Sequence, residues 1–252
     1  MCDDPRCTHA MPFTAPTRPA LSRRALLGAG AATALASGFA ATGVGPAFAQ
    51  PAATRPNAIG PDAALKRLVD GNARYVGNAM ENRDFSAGRV ARASAQYPIA
   101  GLVSCADSRV APEYAFDQGP GELFVVRVAG NFLDDHGLAS LEYGVAVLGL
   151  PLIMVLGHSG CGAVDATMKV IKDKTVLPGH LPLLIEAIRP AIETAEKTKA
   201  ANPLDAAIAE NVRYNVRRLV DAKPIVAEAV TKGTVKVVGA VYDIATGKVA
   251  MV

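Results

Sequence analysis

Two periods of apolar residues alternate along this chain. Over 63–76, Ala64, Leu65, Leu68, Val69, Ala73 and Val76 fall at near-helical spacing, while Lys66, Arg67, Asp70 and Arg74 take other positions. That predicts an amphipathic helix with Asp62 available to cap it. Residues 81–95 are small and polar and read as a loop with one short helix. After Pro98 the pattern becomes a set of short continuous apolar runs, at 99–104, 122–128 and 152–156. Such runs are too short for buried helices and predict strands covered on both sides. Helical spacing returns over 136–148, 161–172, 181–197 and 203–221, and 234–241 supplies a last strand with a hairpin partner near Lys248 and Val249. Apolar strands separated by helices imply an α/β fold, a mostly parallel central β-sheet flanked by helices. The helix over 63–76 carries an apolar stripe with nothing of its own to cover, and is expected to stand as an N-terminal helical arm.

Composition sharpens the domain picture. The chain has 252 residues, 50% of them hydrophobic, enough for one sizeable core. Its net charge is +3, but Arg6, Arg18, Arg23 and Arg24 against Asp3 and Asp4 lie in the first fifty residues. The remainder is almost neutral, which argues against nucleic acid or an anionic membrane as a partner. The same fifty residues read as an address: Ser22-Arg23-Arg24-Ala25-Leu26-Leu27 runs into an Ala/Gly-rich apolar stretch ending Ala47-Phe48-Ala49. That pattern is a twin-arginine export signal with cleavage expected after Ala49. The division expected is thus a signal peptide over 1–49, a Pro/Ala-rich linker over 50–60 and one folded domain over 61–252. No other stretch approaches the roughly 20 apolar residues that span a bilayer, so a periplasmic or otherwise exported protein, free of the membrane after cleavage, is expected.

Loss of the signal leaves Cys105 and Cys161 as the thiols of the mature chain. In an oxidising compartment a disulfide is one reading of them. Twin-arginine export carries folded proteins, so a thiolate metal site assembled in the cytoplasm is the other. Each cysteine follows or neighbours a strand end, in Cys105-Ala106-Asp107-Ser108-Arg109 and in His158-Ser159-Gly160-Cys161-Gly162. Ligands of open α/β sheets bind beyond the carboxyl ends of strands, so the two segments should meet. His158 and Cys161 sit three apart in a Gly-containing turn that can aim both at one metal, and Cys105 adds a third donor. Two thiolates and one imidazole form a catalytic zinc set with a fourth place for water or a labile carboxylate. A Cys–His nucleophile pair is a chemical alternative that leaves one cysteine unused. Gly157-His158-Ser159-Gly160-Cys161 fails as a serine-hydrolase elbow because Cys stands where the turn needs Gly.

Taken together, Cys105-x-Asp107-Ser108-Arg109 and His158-x-x-Cys161-Gly162 resemble the paired signature of the β-carbonic anhydrase family. The similarity extends through Gly71-Asn72-x-Arg74, Gln96-x-Pro98, Gly121-Glu122-Leu123-Phe124-Val125-x-Arg127 and Gly130-Asn131. The resemblance implies one Zn2+ per subunit and reversible conversion of carbon dioxide to bicarbonate by metal-hydroxide attack, on a β-carbonic anhydrase-like domain over 61–252. It implies that Asp107 orients the nucleophile and can also ligate the metal, that Arg109 pairs with Asp107, and that Gln96 and the N–H of Gly162 donate to substrate oxygens. Hydrolysis of carbonyl sulfide or carbon disulfide, or a silent zinc-binding homologue, are the alternatives within it. A homodimer or dimer of dimers is also implied, with the N-terminal helix embracing the partner. Some family members close their site around bicarbonate held by a tryptophan, an arginine and a tyrosine. Arg127 and Tyr143 match two of these by spacing, but Leu102 stands where the tryptophan would be, and the chain has no Trp. The resemblance therefore implies an open site without cooperative bicarbonate inhibition. His136 and His180 receive no role.

Overall fold

The computed structural model describes residues 57–252. The expected signal over 1–49 and most of the expected linker lie outside the described residues. Five strands form one sheet in the order β2-β1-β3-β4-β5: β1 Ala100–Ser104, β2 Leu123–Arg127, β3 Leu152–His158, β4 Lys236–Tyr242 and β5 Val249–Met251. The first four run parallel, and β5 turns back antiparallel on β4. The helices are α1 Pro61–Val76, α2 Arg89–Ser94, α3 Pro112–Ala115, α4 Asp135–Tyr143, α5 Gly162–Asp173, α6 Leu181–Glu196, α7 Pro203–Val220 and α8 Ile225–Thr231. Among the described residues no helix is long and apolar enough to cross a membrane.

The unbroken apolar runs are explained by burial from both sides, since every residue of β1 and of β3 is buried. Alternation still sorts them. Ala100, Leu102, Leu152, Met154 and Leu156 join Ala64, Leu68 and Phe116 in one layer, and Val103, Ile153 and Val155 join Leu141, Val212 and Leu219 in the other. The amphipathic helix α1 thus covers its own sheet, which corrects the expectation of a stripe with nothing to cover. Leu68 is fully buried in that contact, a side chain worth about 2 kcal/mol out of water. Gly71 lets α1 come this close: a Cβ there would lie 1.8 Å from the carbonyl oxygen of Phe116. Next to it, Asn72 donates to the carbonyls of Ala115 and Gly247 at 2.9 and 2.8 Å and accepts from the N–H of Val249 at 2.9 Å.

Two differences from the sequence pattern are local. The helix expected over 136–148 stops being α-helical at Tyr143 and widens into a π turn, Gly144–Leu148, ended by Gly149 at φ +73°. The short helices α3 and α8 carry too few turns to leave a period in the sequence. What matters for the site is the register: Ser104 of β1 pairs with Leu156 of β3, so Cys105 and His158 leave the same edge of the sheet.

Candidate metal centre

The carboxyl ends of β1 and β3 and the start of α5 meet at one point. The ligand atoms of Cys105, His158 and Cys161 lie within 4.8 Å of one another, and all three residues are buried. Both cysteines are free thiols, so the disulfide reading is not realised. His158 is wholly buried; its Nδ1 lies 3.0 Å from the carbonyl oxygen of Ser159 while its Nε2 has no hydrogen-bond partner. A carbonyl can only accept, so Nδ1 carries the proton and Nε2 turns a lone pair toward the two sulfurs. A buried lone pair left so is costly unless something electrophilic meets it.

The sulfurs are prepared in the same sense. The N–H groups of Asp107 and Gly130 donate to Sγ of Cys105 at 3.4 and 3.2 Å. Cys105 is held well below the ordinary thiol range, first by the S–H of Cys161, then against burial by His158 and these two N–H groups. Cys161 is pushed up, first by that shared proton and then by burial. Two adjacent thiolates repel, so both ionise together only with a cation between them. Burial lowers the His158 imidazole, but the Cys105 thiolate facing it outweighs that and the net direction is upward. Two sulfurs and one imidazole nitrogen, buried and converging, fit zinc.

Asp107 stands beside this cluster without belonging to it. Its Oδ1 accepts from the backbone N–H and Nε of Arg109, both at 2.9 Å, and its Oδ2 accepts from Nη2 at 2.7 Å. Oδ2 is 3.8 Å from Nε2 of His158. The bonds from the Arg109 side chain hold the carboxyl far below its usual range in spite of partial burial. Arg127 secures the loop beneath it, donating to the carbonyls of Cys105, Asp107 and Val110 at 3.0, 2.9 and 2.8 Å.

The remaining sequence candidates are spread more widely. Gly162 opens α5 directly after Cys161, and a Cβ there or at Gly160 would meet nothing within 4 Å, so this side of the cluster is open. Gln96 is exposed and makes no hydrogen bond among the described residues. His136 and His180 are exposed and outside the donor group. Tyr143 stacks near Phe124, with ring centroids 6.5 Å apart. Phe124 and Arg127 occupy opposite parities of β2 and so opposite faces of the sheet, which corrects the grouping of Arg127 with Tyr143 by spacing. Spacing missed Asn211 and Asn215, although two asparagines one turn apart among the buried positions of α7 are a readable signal.

A carbonic anhydrase family model matches residues 100–249. The chain is 40% identical over 192 residues to a carbonic anhydrase of Mycolicibacterium smegmatis, covering 76% of this chain and 93% of that one. It is 36% identical to carbonic anhydrase 2 of Mycobacterium tuberculosis, covering 76% and 92%. Among solved structures it resembles the Coccomyxa β-carbonic anhydrase in complex with acetazolamide, at TM-score 0.59 and 32% identity over 75% of this chain and 86% of that one. It also resembles the β-carbonic anhydrase CcaA, at TM-score 0.57 and 26% identity over 74% and 94%. With its parallel sheet and its Cys–His–Cys cluster at two strand ends, the chain belongs to the carbonic anhydrase family, in the β class.

Proposed function

We propose that this chain catalyses reversible hydration of carbon dioxide to bicarbonate and a proton, with one zinc per subunit held by Cys105, His158 and Cys161. The convergence of these three buried donors beside a carboxylate that stays ionised carries the reading. Zinc, when bound, supplies the Lewis acid that makes water a nucleophile near neutral pH. Asp107 is acceptor-only while Arg109 clamps it, so it can take a hydrogen bond from the nucleophile and fix its direction. The same clamp keeps Asp107 from taking the fourth place on the metal. The N–H of Gly162, an exposed residue at the start of α5, offers a donor to a bicarbonate oxygen. The buried apolar cluster that Cys105 and Cys161 share with Val164 and Ile188 suits a nonpolar gas. The active unit is a homodimer or dimer of dimers, and Gln96 is the further donor to a substrate oxygen. Exposed Phe85, Val90 and Tyr114 support such an assembly, and the Sordaria macrospora β-carbonic anhydrases of the same fold are tetrameric.

Stopped-flow hydration of carbon dioxide by zinc-analysed protein tests the reading. Rapid hydration with about one zinc per chain is expected. Sulfide release from carbonyl sulfide or carbon disulfide faster than bicarbonate formation would move the chain to a sulfur-analogue hydrolase. Zinc without either activity would make it a silent homologue.

Export by the twin-arginine route belongs to the same proposal and is supported by Arg23, Arg24 and the Ala47-Phe48-Ala49 ending. Replacing Arg23 and Arg24 by lysine should abolish delivery to the periplasm; unchanged delivery would contradict it.

A further inference from the structure

Two buried asparagines one turn apart on α7 hold the loop that follows β2. Asn211 and Asn215 lie fully buried on the helix face they share with Ile208, Val212 and Leu219, where a polar side chain is costly unless paired. Nδ2 of Asn211 donates to the carbonyl of Gly130 at 2.8 Å. Oδ1 of Asn215 accepts from the N–H of Leu133 at 2.9 Å, and its Nδ2 donates back to the carbonyl of Asn211 at 2.8 Å. The amides therefore grip the turn over 130–133 at both ends. At its first residue the N–H of Gly130 donates to Sγ of Cys105 at 3.2 Å.

Gly130 is the place where this grip matters. It sits at φ +85°, a strained conformation for any other residue, and a Cβ would lie 2.5 Å from Cδ1 of Ile188 and force that side chain to move. A glycine, however, restrains its own two peptide planes less than any other residue. The plane carrying its N–H and the plane carrying its carbonyl share one Cα, and anchoring the carbonyl limits rotation of the other. The Asn211 amide thus supplies from a distant helix the restraint that the glycine lacks.

We propose that Asn211 is a positioning residue of the metal centre: by holding the Gly130 carbonyl it keeps the Gly130 N–H on the Cys105 sulfur and so fixes the lone pair that holds zinc. Asn215 secures the far end of the same turn and reaches the sulfur only at second hand, through the 3.4 Å bond that its Nδ2 donates to Oδ1 of Asn211. The inference rests on the reading that Cys105 holds zinc. Hydrogen bonds to a ligating group of this kind are typically worth about 10- to 100-fold in metal affinity.

The test compares Asn211→Leu with Asn215→Leu, two buried amides removed from the same helix. Zinc affinity is measured by chelator competition, thermal stability by melting, and sulfur geometry by the thiolate-to-metal charge-transfer band of the cobalt(II) form. Both variants should melt lower. Asn211→Leu should lose about 10- to 100-fold in zinc affinity and shift the cobalt band, and Asn215→Leu, which removes only a 3.4 Å bond to the Asn211 amide, should lose markedly less. If that variant does not fold, Asn211→Ser, whose hydroxyl is too short to span to Gly130, carries the same comparison. Unchanged affinity and band on replacing Asn211 overturn the proposal, and so does an equal loss in Asn215→Leu. Failure of the unsubstituted protein to bind zinc overturns the functional reading as well, which separates the two.

Discussion

Two aspartates on either side of α3, Asp107 and Asp117, both face arginine in contrasting surroundings. Asp107 pairs within its own loop with Arg109, whose side chain is 55% exposed. Asp117 is fully buried at φ +47°, and it takes Arg74 from α1, Arg83 from the loop after α1 and the N–H of Glu81 at 3.2 Å. Both carboxyls lie below their ordinary range. For Asp107 the Arg109 bonds are the largest influence, whereas for Asp117 the largest is burial, which opposes the shift and is outweighed by two guanidinium groups. A pair that is local and half in water contributes little to stability and can let go. A buried carboxylate held by two guanidinium groups and a backbone N–H cannot. On the proposed reading the same two residue types serve chemistry at one end of α3 and cohesion at the other.

The largest expected effect breaks the chemical half of this comparison. Asp107→Asn keeps the shape but turns an acceptor-only group into a partial donor, and carbon dioxide hydration should fall by about 10²- to 10⁴-fold. Melting temperature and zinc content should barely move. A variant retaining most of its activity, measured by stopped flow at equal zinc loading, would remove Asp107 from the mechanism.

Asp117→Asn should do the reverse. Taking the charge from a buried pair leaves Arg74 and Arg83 facing a neutral group, a loss of about 3 kcal/mol. The urea midpoint should drop while kcat/KM of the folded fraction stays put. The pH dependence sharpens this. Asp117 has a lower pKa folded than unfolded, so its stabilisation is present above the unfolded value of about 4 and is lost as pH falls through the folded one. Urea midpoints measured toward acid pH should therefore fall more steeply for the unsubstituted protein than for Asp117→Asn, and the two curves should converge. Parallel curves would show that Asp117 is not titrating against the fold.

The two aspartates also mark what could be read before the fold was known. The pairing of Asp107 is legible because it is local: Cys105-x-Asp107-x-Arg109 and His158-x-x-Cys161 each fit inside one strand end and the turn after it, and continuous apolar runs announce those strands. That of Asp117 is not, because Arg74 and Arg83 reach it from segments far away in sequence. The contact of Asn211 with Gly130 escapes for the same reason. Spacing also carries no information on which face of a sheet a residue takes relative to a different element, and so Tyr143 was grouped with Arg127 when the sheet lies between them. The helix α1 looked uncovered because its cover, Phe116 and the strands, comes later in the chain.

The smallest expected effect concerns whether Asp107 ever leaves Arg109. Cooperative closure by bicarbonate requires an anion pocket next to the loop that carries Asp107. Here Leu102 is fully buried and its side chain has no N–H to offer, Arg127 commits its Nε and Nη2 to the carbonyls of Cys105, Asp107 and Val110, and Tyr143 lies across the sheet. Of that set only Nη1 of Arg127 is left to meet bicarbonate, too little to pull Asp107 away, so the Arg109 clamp should hold at neutral pH whatever the bicarbonate concentration. Inhibition of carbon dioxide hydration by added bicarbonate should then be weak and hyperbolic, reflecting product competition alone. A sigmoidal dependence, steepening as pH falls from 8, would mean that the local pair does release under anion control, and that Arg127 gives up the loop carbonyls to bind the ion.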